Sequence, residues 1–281
     1  MRVFFYRGFL VVIIAALSIS LYNMLIIRNT YVHEERVHTA VSTYAPPFKK
    51  TVNQTGANIA NTGDTGKPIE NNEISAEAEI DAEAEVNTEA EVSAEANYSI
   101  ADARQNINKD IAAWLRVPNT YIDYPVVRSD DNSFYLNHDV YKERAASGAL
   151  FIDKRNNDGF MDFNTIIYGH NMKNGSMFGQ LNNFGNQIFF STNPVGQLFL
   201  SDRPYTIEIF AYLKIMQDDK YIYGSLSGGN FDEFNEYVRA AAVNYRDIQL
   251  SGSDHIVTLS TCSNDDANIR MVVLARLDRA G

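Results

Sequence analysis

The sequence His255-Ile-Val-Thr-Leu-Ser-Thr-Cys262 decides how the folded part of this 281-residue chain is organised. Its apolar and β-branched residues predict a strand, and the polar residues that follow predict a loop. A second strand-like run, residues 270–277, begins after that short loop. Because the loop is short, the two strands are expected to be neighbours, so that Cys262 and Arg270 meet at one rim of a sheet.

Six further runs share this strand-like composition and are separated by turn-forming residues. They are residues 121–127, 149–152, 165–168, 187–190, 197–199 and 205–213. Many short strands with few helices predict a mainly β fold, a closed or nearly closed β-barrel with helices at its periphery.

Two helices are predicted beside these strands. Apolar residues between Ile100 and Leu115 recur at spacings of three and four, which predicts a helix that ends before Pro118. Residues 230–245 predict a second, longer helix, in which Asn230 is the N-cap and the first turn is acidic.

The N-terminal residues 1–32 are predicted to be a membrane anchor. Residues 8–27 carry no charge, and as a helix they would span roughly 30 Å, the thickness of a bilayer's hydrocarbon core. Arg2 and Arg7 precede this run and favour a single-pass topology with the N-terminus in the cytoplasm and the rest of the chain outside. The alternative is a cleaved signal peptide with its processing site near Ala16-Leu17-Ser18.

Residues 33–97 are predicted to be a solvated acidic linker that leads to a folded domain at residues 98–281. The linker contains a six-residue repeat with the pattern Ser-Ala-Glu-Ala-Glu-Ile. The chain has 24 basic and 35 acidic residues and a net charge of −11. Ten of the acidic residues lie between Glu70 and Glu95, so the remainder is nearly neutral. This balance argues against nucleic-acid binding, which needs a basic surface.

Cys262 is the chain's one cysteine, which excludes an internal disulfide and a zinc site of the paired-cysteine type. A cysteine thiol, with an ordinary pKa of about 8.5, usually needs a nearby histidine to act as a nucleophile. His255 begins the same strand, roughly 23 Å away, which is too far for proton transfer. His170 follows a strand and opens a loop, as Cys262 does, so it is favoured over His138. An inert buried cysteine is the alternative reading of the same residue.

Several motifs together resemble the sortases, the cell-wall transpeptidases of Gram-positive bacteria, and more closely their class B. The segment Thr258-Leu-Ser-Thr-Cys262 followed by Arg270 resembles the TLxTC…R signature of that family. Other segments with this likeness are residues 110–115, 122–126, 164–171 and 230–245. The resemblance implies a sortase-like closed β-barrel of about eight strands, with an N-terminal helix and one long peripheral helix.

The resemblance also implies an activity and the residues that carry it. Cys262 would attack the carbonyl after the threonine of a C-terminal sorting signal, Arg270 would stabilise the oxyanion, and His170 would protonate the departing amine. An amine of peptidoglycan or a pilin lysine would then resolve the thioacyl-enzyme, with no cofactor and no metal. The substrate-binding residues implied by class B are Asn132, Leu136, Tyr221, Ile222 and Ser260.

Two other functions remain open at this stage. A membrane-tethered cysteine peptidase would use the same residues but would hydrolyse its substrate. A non-enzymatic binding module on the cell surface would instead leave Cys262 buried and unreactive.

Overall fold

The computed structural model describes residues 2–46, 100–201, 203–224, 231–263, 266 and 268–278, with side chains from Val12 onward. Most of the predicted linker, including its acidic repeat, lies outside these residues, as does Asn230, the predicted N-cap.

A closed β-barrel forms the body of the protein, as the sequence predicts. The described residues contain nine strands: β1 (Ile111–Arg116), β2 (Asp123–Arg128), β3 (Leu150–Ile152), β4 (Asn164–Tyr168), β5 (Val195–Phe199), β6 (Pro204–Met216), β7 (Ala242–Tyr245), β8 (His255–Cys262) and β9 (Ile269–Asp278). Eight of them pair in the order β5-β1-β2-β3-β4-β8-β9-β6, and pairing of β5 with β6 closes the barrel. Strand β7 is an additional strand on the far side of β6. The β2–β3 and β4–β8 pairs are parallel.

Helices lie at the ends and on the outside of this barrel. They are α1 (Arg2–Ser42), α2 (residues 100–106), α3 (Gln187–Thr192), α4 (Lys220–Gly224) and α5 (Phe231–Ala241). Two short 3₁₀ helices, Phe134–Leu136 and Leu181–Gly185, complete the connections.

Alternating residues of β8 and β9 separate two apolar layers. Leu259 and Val273 point into the barrel and belong to its central hydrophobic cluster. Ile256 and Leu274 point outward and pack with Phe234 of α5 in a second cluster. The helices α4 and α5 therefore cover the outer face of the strands that end at Cys262 and begin near Arg270.

The predicted helix from Ile100 to Leu115 is correct only in its first half. The helix α2 stops at residue 106, and the next apolar residues form β1, all six of which are buried. Strand β1 pairs with β2 on one side and with β5 on the other. A strand buried on both faces is apolar at nearly every position, so helical spacing also occurs in it by chance.

Two other predicted elements are also wrong. Residues 187–190, predicted as a strand, form α3, because the side chain of Asn186 accepts hydrogen bonds from the backbone N–H groups of Ile188 and Phe189 and caps a helix there. The long helix predicted to reach residue 245 ends at Ala241. Its last four residues form β7, which gains hydrogen bonds from the edge of β6.

Helix α1 is a candidate membrane anchor. Within the described residues it is the one helix long and apolar enough to cross a membrane, with a mean hydropathy of 1.6 and none of its apolar window buried. The helix runs to Ser42, nine residues beyond His33, where the sequence predicts the linker to begin. Its end contacts the barrel domain directly: Val41 is buried in one cluster with Ile100 and Trp114.

Candidate active site

Cys262 and Arg270 are paired across two antiparallel strands. They form the last registered pair of β8 and β9, which is the arrangement expected from the short loop between them. Residues Ser260 and Cys262 share the outward face of β8, whereas Leu259 points into the barrel. The thiol of Cys262 is exposed to solvent. It can therefore meet a substrate that approaches from outside the barrel.

His170 reaches the same rim from the opposite side of β8. Strand β4 runs parallel to β8, and their last pair is Tyr168 with Ser260. His170 follows Tyr168 by two residues, as Cys262 follows Ser260. The side-chain amide of Asn171 donates to the carbonyl oxygen of Cys262 (2.8 Å), which ties the two segments together beyond the ladder. His170, Cys262 and Arg270 thus lie at one rim of the barrel, where β4 and β8 end and β9 begins.

Gly169 explains how His170 is held close to the barrel. Its N–H donates to the carbonyl of Ser260 (3.2 Å). A Cβ at this position would lie 2.4 Å from Cδ2 of Leu150 and 2.7 Å from Cδ2 of Phe178, both of which are buried core side chains. A larger residue here would push the backbone away from the core, and His170 with it.

The imidazole of His170 is oriented by a backbone carbonyl. Its Nε2 lies 2.6 Å from the carbonyl oxygen of Leu136, the last residue of the first 3₁₀ helix. A carbonyl oxygen can only accept, so Nε2 carries a hydrogen in this arrangement. The second ring nitrogen, Nδ1, is then the ring atom that can exchange a proton with a substrate or with Cys262.

The guanidinium of Arg270 is held by the connection between β6 and α4. Its Nη2 donates to the side-chain oxygen of Gln217 (3.0 Å). Gln217 is itself fixed, because its backbone N–H donates to the carbonyl of Asn268 (2.8 Å). The planar guanidinium has five N–H donors, so it can keep this bond and still offer others to a substrate oxygen.

Tyr223 of α4 lies over the outward face of β8. Its hydroxyl shares a hydrogen bond with Oγ of Ser260 (2.8 Å), and its ring stacks with that of Tyr168 at 6.4 Å. Burial raises the pKa of Tyr223 to about 12, so the hydroxyl stays protonated at neutral pH.

Burial alone would also raise the pKa of Asp153, yet hydrogen bonds from Arg155 and Tyr168 lower it to about 2. Asp153 is thus connected to Tyr223 through Tyr168, whose hydroxyl donates to Oδ2 of Asp153 (2.9 Å).

The five residues implied as substrate-binding occupy different environments. Leu136 is 42% exposed and its carbonyl contacts His170, while Ser260 lies two residues from Cys262. Asn132 belongs to the hydrogen-bond network of Asp153: its Nδ2 donates to Oδ2 of Asp153 (3.2 Å), and its Oδ1 accepts from the N–H of Lys154. Tyr221 stacks on Tyr237. Ile222 is the fully buried residue of α4.

The other two histidines of the folded domain have other partners. The Nδ1 of His138 lies 2.8 Å from the carbonyl oxygen of Phe134, and the two rings stack at 4.1 Å. His255 stands at the opposite end of β8, where it pairs with Leu277.

Sequence reasoning did not find Asn171, Gln217 or Tyr223. Asn171 and Tyr223 adjoin residues that it did single out, His170 and Ile222. Their contacts with Cys262 and Ser260 join segments far apart in the chain, for which a single sequence carries no signal.

Comparisons with known proteins agree with this geometry. The sortase domain family model matches residues 115–278. Sortase B of Listeria monocytogenes is 39% identical over 176 residues, which are 62% of this chain and 72% of that protein.

Solved structures give the same result. A mutant form of Clostridium perfringens sortase B has a TM-score of 0.63 and 34% identity, covering 68% of this chain and 92% of that one. A Streptococcus pyogenes class B sortase involved in pilus biogenesis has a TM-score of 0.60 and 31% identity, covering 63% and 97%. Since the family model matches more than half of the chain and these relatives share its barrel, the chain belongs to the sortase family, and it is a class B sortase-type cysteine transpeptidase.

Proposed function

We propose that this transpeptidase cleaves a C-terminal sorting signal after its threonine and transfers the new carboxyl end to an amine of the cell envelope. The observation that carries the proposal is the position of a thiol, an imidazole and a guanidinium at one rim of the barrel, where β8 and β4 end and β9 begins.

In the first step the sulfur of Cys262 attacks the threonine carbonyl, and negative charge develops on the carbonyl oxygen. Arg270 is the cation beside Cys262 and stabilises this oxyanion. The C–S bond forms in this attack, and the thiol proton passes to Nδ1 of His170; the oxyanion then collapses and the amide C–N bond breaks. His170 supplies the proton that the departing amine needs, from Nδ1, because Nε2 is bonded to Leu136.

In the second step an incoming amine attacks the thioester. His170 takes the proton that this amine loses, the C–S bond breaks and a new C–N bond forms, which regenerates Cys262. One amide replaces another, so the cycle needs no ATP.

The proposed partners follow from this chemistry. The donors are secreted proteins with a C-terminal sorting signal, and the acceptor is a peptidoglycan amine or a pilin lysine. Helix α1 would anchor the enzyme in the cell membrane, with Arg2 and Arg7 on the cytoplasmic side and residues 98–281 outside. Leu136 is exposed beside His170 and is the first candidate to contact the peptide, whereas Ser260 is buried under Tyr223 and its contact with the peptide stays a prediction. Asn132, Tyr221 and Ile222 stay predictions.

The test uses the full chain in detergent micelles with a library of fluorogenic sorting peptides. Reactions are run with and without a peptidoglycan-like amine, and products are identified by mass. We expect the amine to be joined to the peptide after threonine, and the Cys262→Ala variant to be inactive. Hydrolysis alone in the presence of excess amine would instead identify a peptidase, and full activity of Cys262→Ala would refute both enzymes.

A further inference from the structure

We infer that Glu34, on the anchor helix α1, is a positioning residue for the loop that carries His170. The inference rests on the proposed function, because it assigns the purpose of this contact to the geometry of His170 and Cys262. It makes the end of the anchor helix part of the active-site support.

The loop after β4 folds back on itself as a small hairpin, residues 170–178, here called the His170 hairpin. The N–H of Phe178 donates to the carbonyl of His170 (2.9 Å), and Asn171 pairs with Met177. The N–H of Gly175 donates to the carbonyl of Met172 (2.9 Å) and closes the tip. A displacement of the tip is therefore transmitted to the base, where His170 begins the hairpin.

The base of the hairpin is joined to the nucleophile. Asn171 donates to the carbonyl oxygen of Cys262, and the preceding Gly169 packs against the core without room for a side chain. The hairpin thus connects directly to two of the three proposed catalytic residues.

The tip of the hairpin is bound by the anchor helix. Oε2 of Glu34 accepts from Nδ2 of Asn174 (3.3 Å) and from Oγ of Ser176 (3.5 Å). Ser176 has one hydroxyl hydrogen, which lies closer to Oδ1 of Asn174 (2.7 Å) than to Glu34, so the carboxylate holds the tip mainly through Asn174, which Ser176 in turn steadies. Burial is the largest influence on the carboxyl of Glu34 and raises its pKa, although these hydrogen bonds oppose that effect.

Helix α1 is held firmly enough to serve as a support. His33, the neighbour of Glu34, places Nε2 3.0 Å from Oδ2 of Asp139, whose side chain is almost fully buried. Two turns further along, Val41 is buried against the domain. Between these points the helix and the barrel enclose a cavity of about 780 Å³, lined in part by Tyr124 and Met177. The polar contacts of Glu34 therefore bridge a gap instead of adding to a packed interface.

The experiment compares three variants of the full chain in detergent micelles: Glu34→Ala, Glu34→Gln and the control Glu35→Ala, which removes the same charge from an exposed position one residue away. We expect Glu34→Ala to lower kcat about 10-fold with KM within about 2-fold, because a misplaced catalytic group slows chemistry more than binding. Glu34→Gln keeps an acceptor oxygen and should stay within about 2-fold of wild type. Glu35→Ala should match wild type.

A second measurement does not depend on activity. In the Cys262→Ala background, hydrogen exchange of residues 171–178 should be faster with Glu34→Ala than with Glu35→Ala. Equal exchange and equal kcat in these two variants would overturn the inference. If wild type transfers no peptide, the proposed function fails, and the exchange measurement alone decides whether Glu34 holds the hairpin.

Discussion

Cys262 has a different kind of neighbour on each side. Arg270 lies on β9, and its position relative to Cys262 is set by a continuous antiparallel ladder. His170 lies beyond the last pair of β4, in a hairpin oriented by the carbonyl of Leu136 and bound at its tip by Glu34. The comparison teaches that the barrel ladder fixes the backbone positions of Cys262 and Arg270, whereas the backbone position of His170 depends on contacts with segments distant in the sequence.

Apart from loss of the thiol, the largest loss of activity is expected when His170, at the base of the hairpin, is replaced. His170→Ala removes the group that we propose to move protons in both steps, so kcat/KM for transpeptidation should fall by about 10²–10⁴. His138→Ala is the matched control, because that imidazole stacks on Phe134 and its Nδ1 lies 2.8 Å from the carbonyl oxygen of the same residue. A fall with His138→Ala and not with His170→Ala would reverse the assignment of the two histidines.

Replacing Arg270, which lies on the β8–β9 ladder, should give the next largest loss of activity. Arg270→Ala removes a cation from the developing oxyanion, and turnover should fall by about 10²–10³. Arg276→Ala serves as the control, since it removes the same charge from the same strand but at the end bonded to Glu208. Comparable turnover in the two variants would remove Arg270 from the mechanism.

A smaller effect is expected when the support of Arg270 is removed. Gln217→Ala takes away the side-chain oxygen that holds the guanidinium, and kcat should fall about 3- to 10-fold, the scale of one hydrogen bond. Gln217→Glu keeps an acceptor and should recover most of the loss. If the alanine variant equals wild type, the ladder alone positions Arg270, which would sharpen the contrast between the two sides.

The smallest effect concerns stability. Asp153→Asn removes the carboxylate bonded to Arg155 and Tyr168, and at neutral pH it should lower Tm by about 5 °C. The folded-state pKa of about 2 lies below the ordinary 3.8, so this stabilisation is present above pH 4 and is lost as pH falls towards 2. The Tm difference from wild type should shrink over that range.

The control for this change is Asp158→Asn, on an exposed turn. It should leave Tm unchanged at neutral pH. A Tm difference for Asp153→Asn that stays constant from pH 6 to pH 2 would contradict the role assigned to its carboxylate.

The sequence was sufficient to predict an element where its local pattern and the tertiary structure favour the same conformation. Strands β8 and β9, with Cys262 opposite Arg270, follow from two apolar runs and a short polar loop. It was insufficient where partners distant in the chain decide the conformation. Residues 111–115 have helical spacing, yet they form a strand because β2 and β5 supply hydrogen bonds on both sides.

The candidate site divides in the same way. Residues at strand ends were identified from the sequence, because a strand followed by a polar loop is a local signal. Tyr223 and Gln217 come from segments whose path depends on how α4 packs on the barrel. Their contacts with Ser260 and Arg270 became visible only in three dimensions.

Val41, near the end of α1, and Ile100, at the start of α2, are buried in the same outer cluster. The described residues on either side of positions 47–99 therefore meet at one patch of the domain. If α1 is the membrane anchor, the helix sets how far Cys262 stands from the bilayer, and the acidic stretch does not affect that distance. Deleting the repeat would then leave the enzyme's reach unchanged, and a protein awaiting attachment must present its signal at that height.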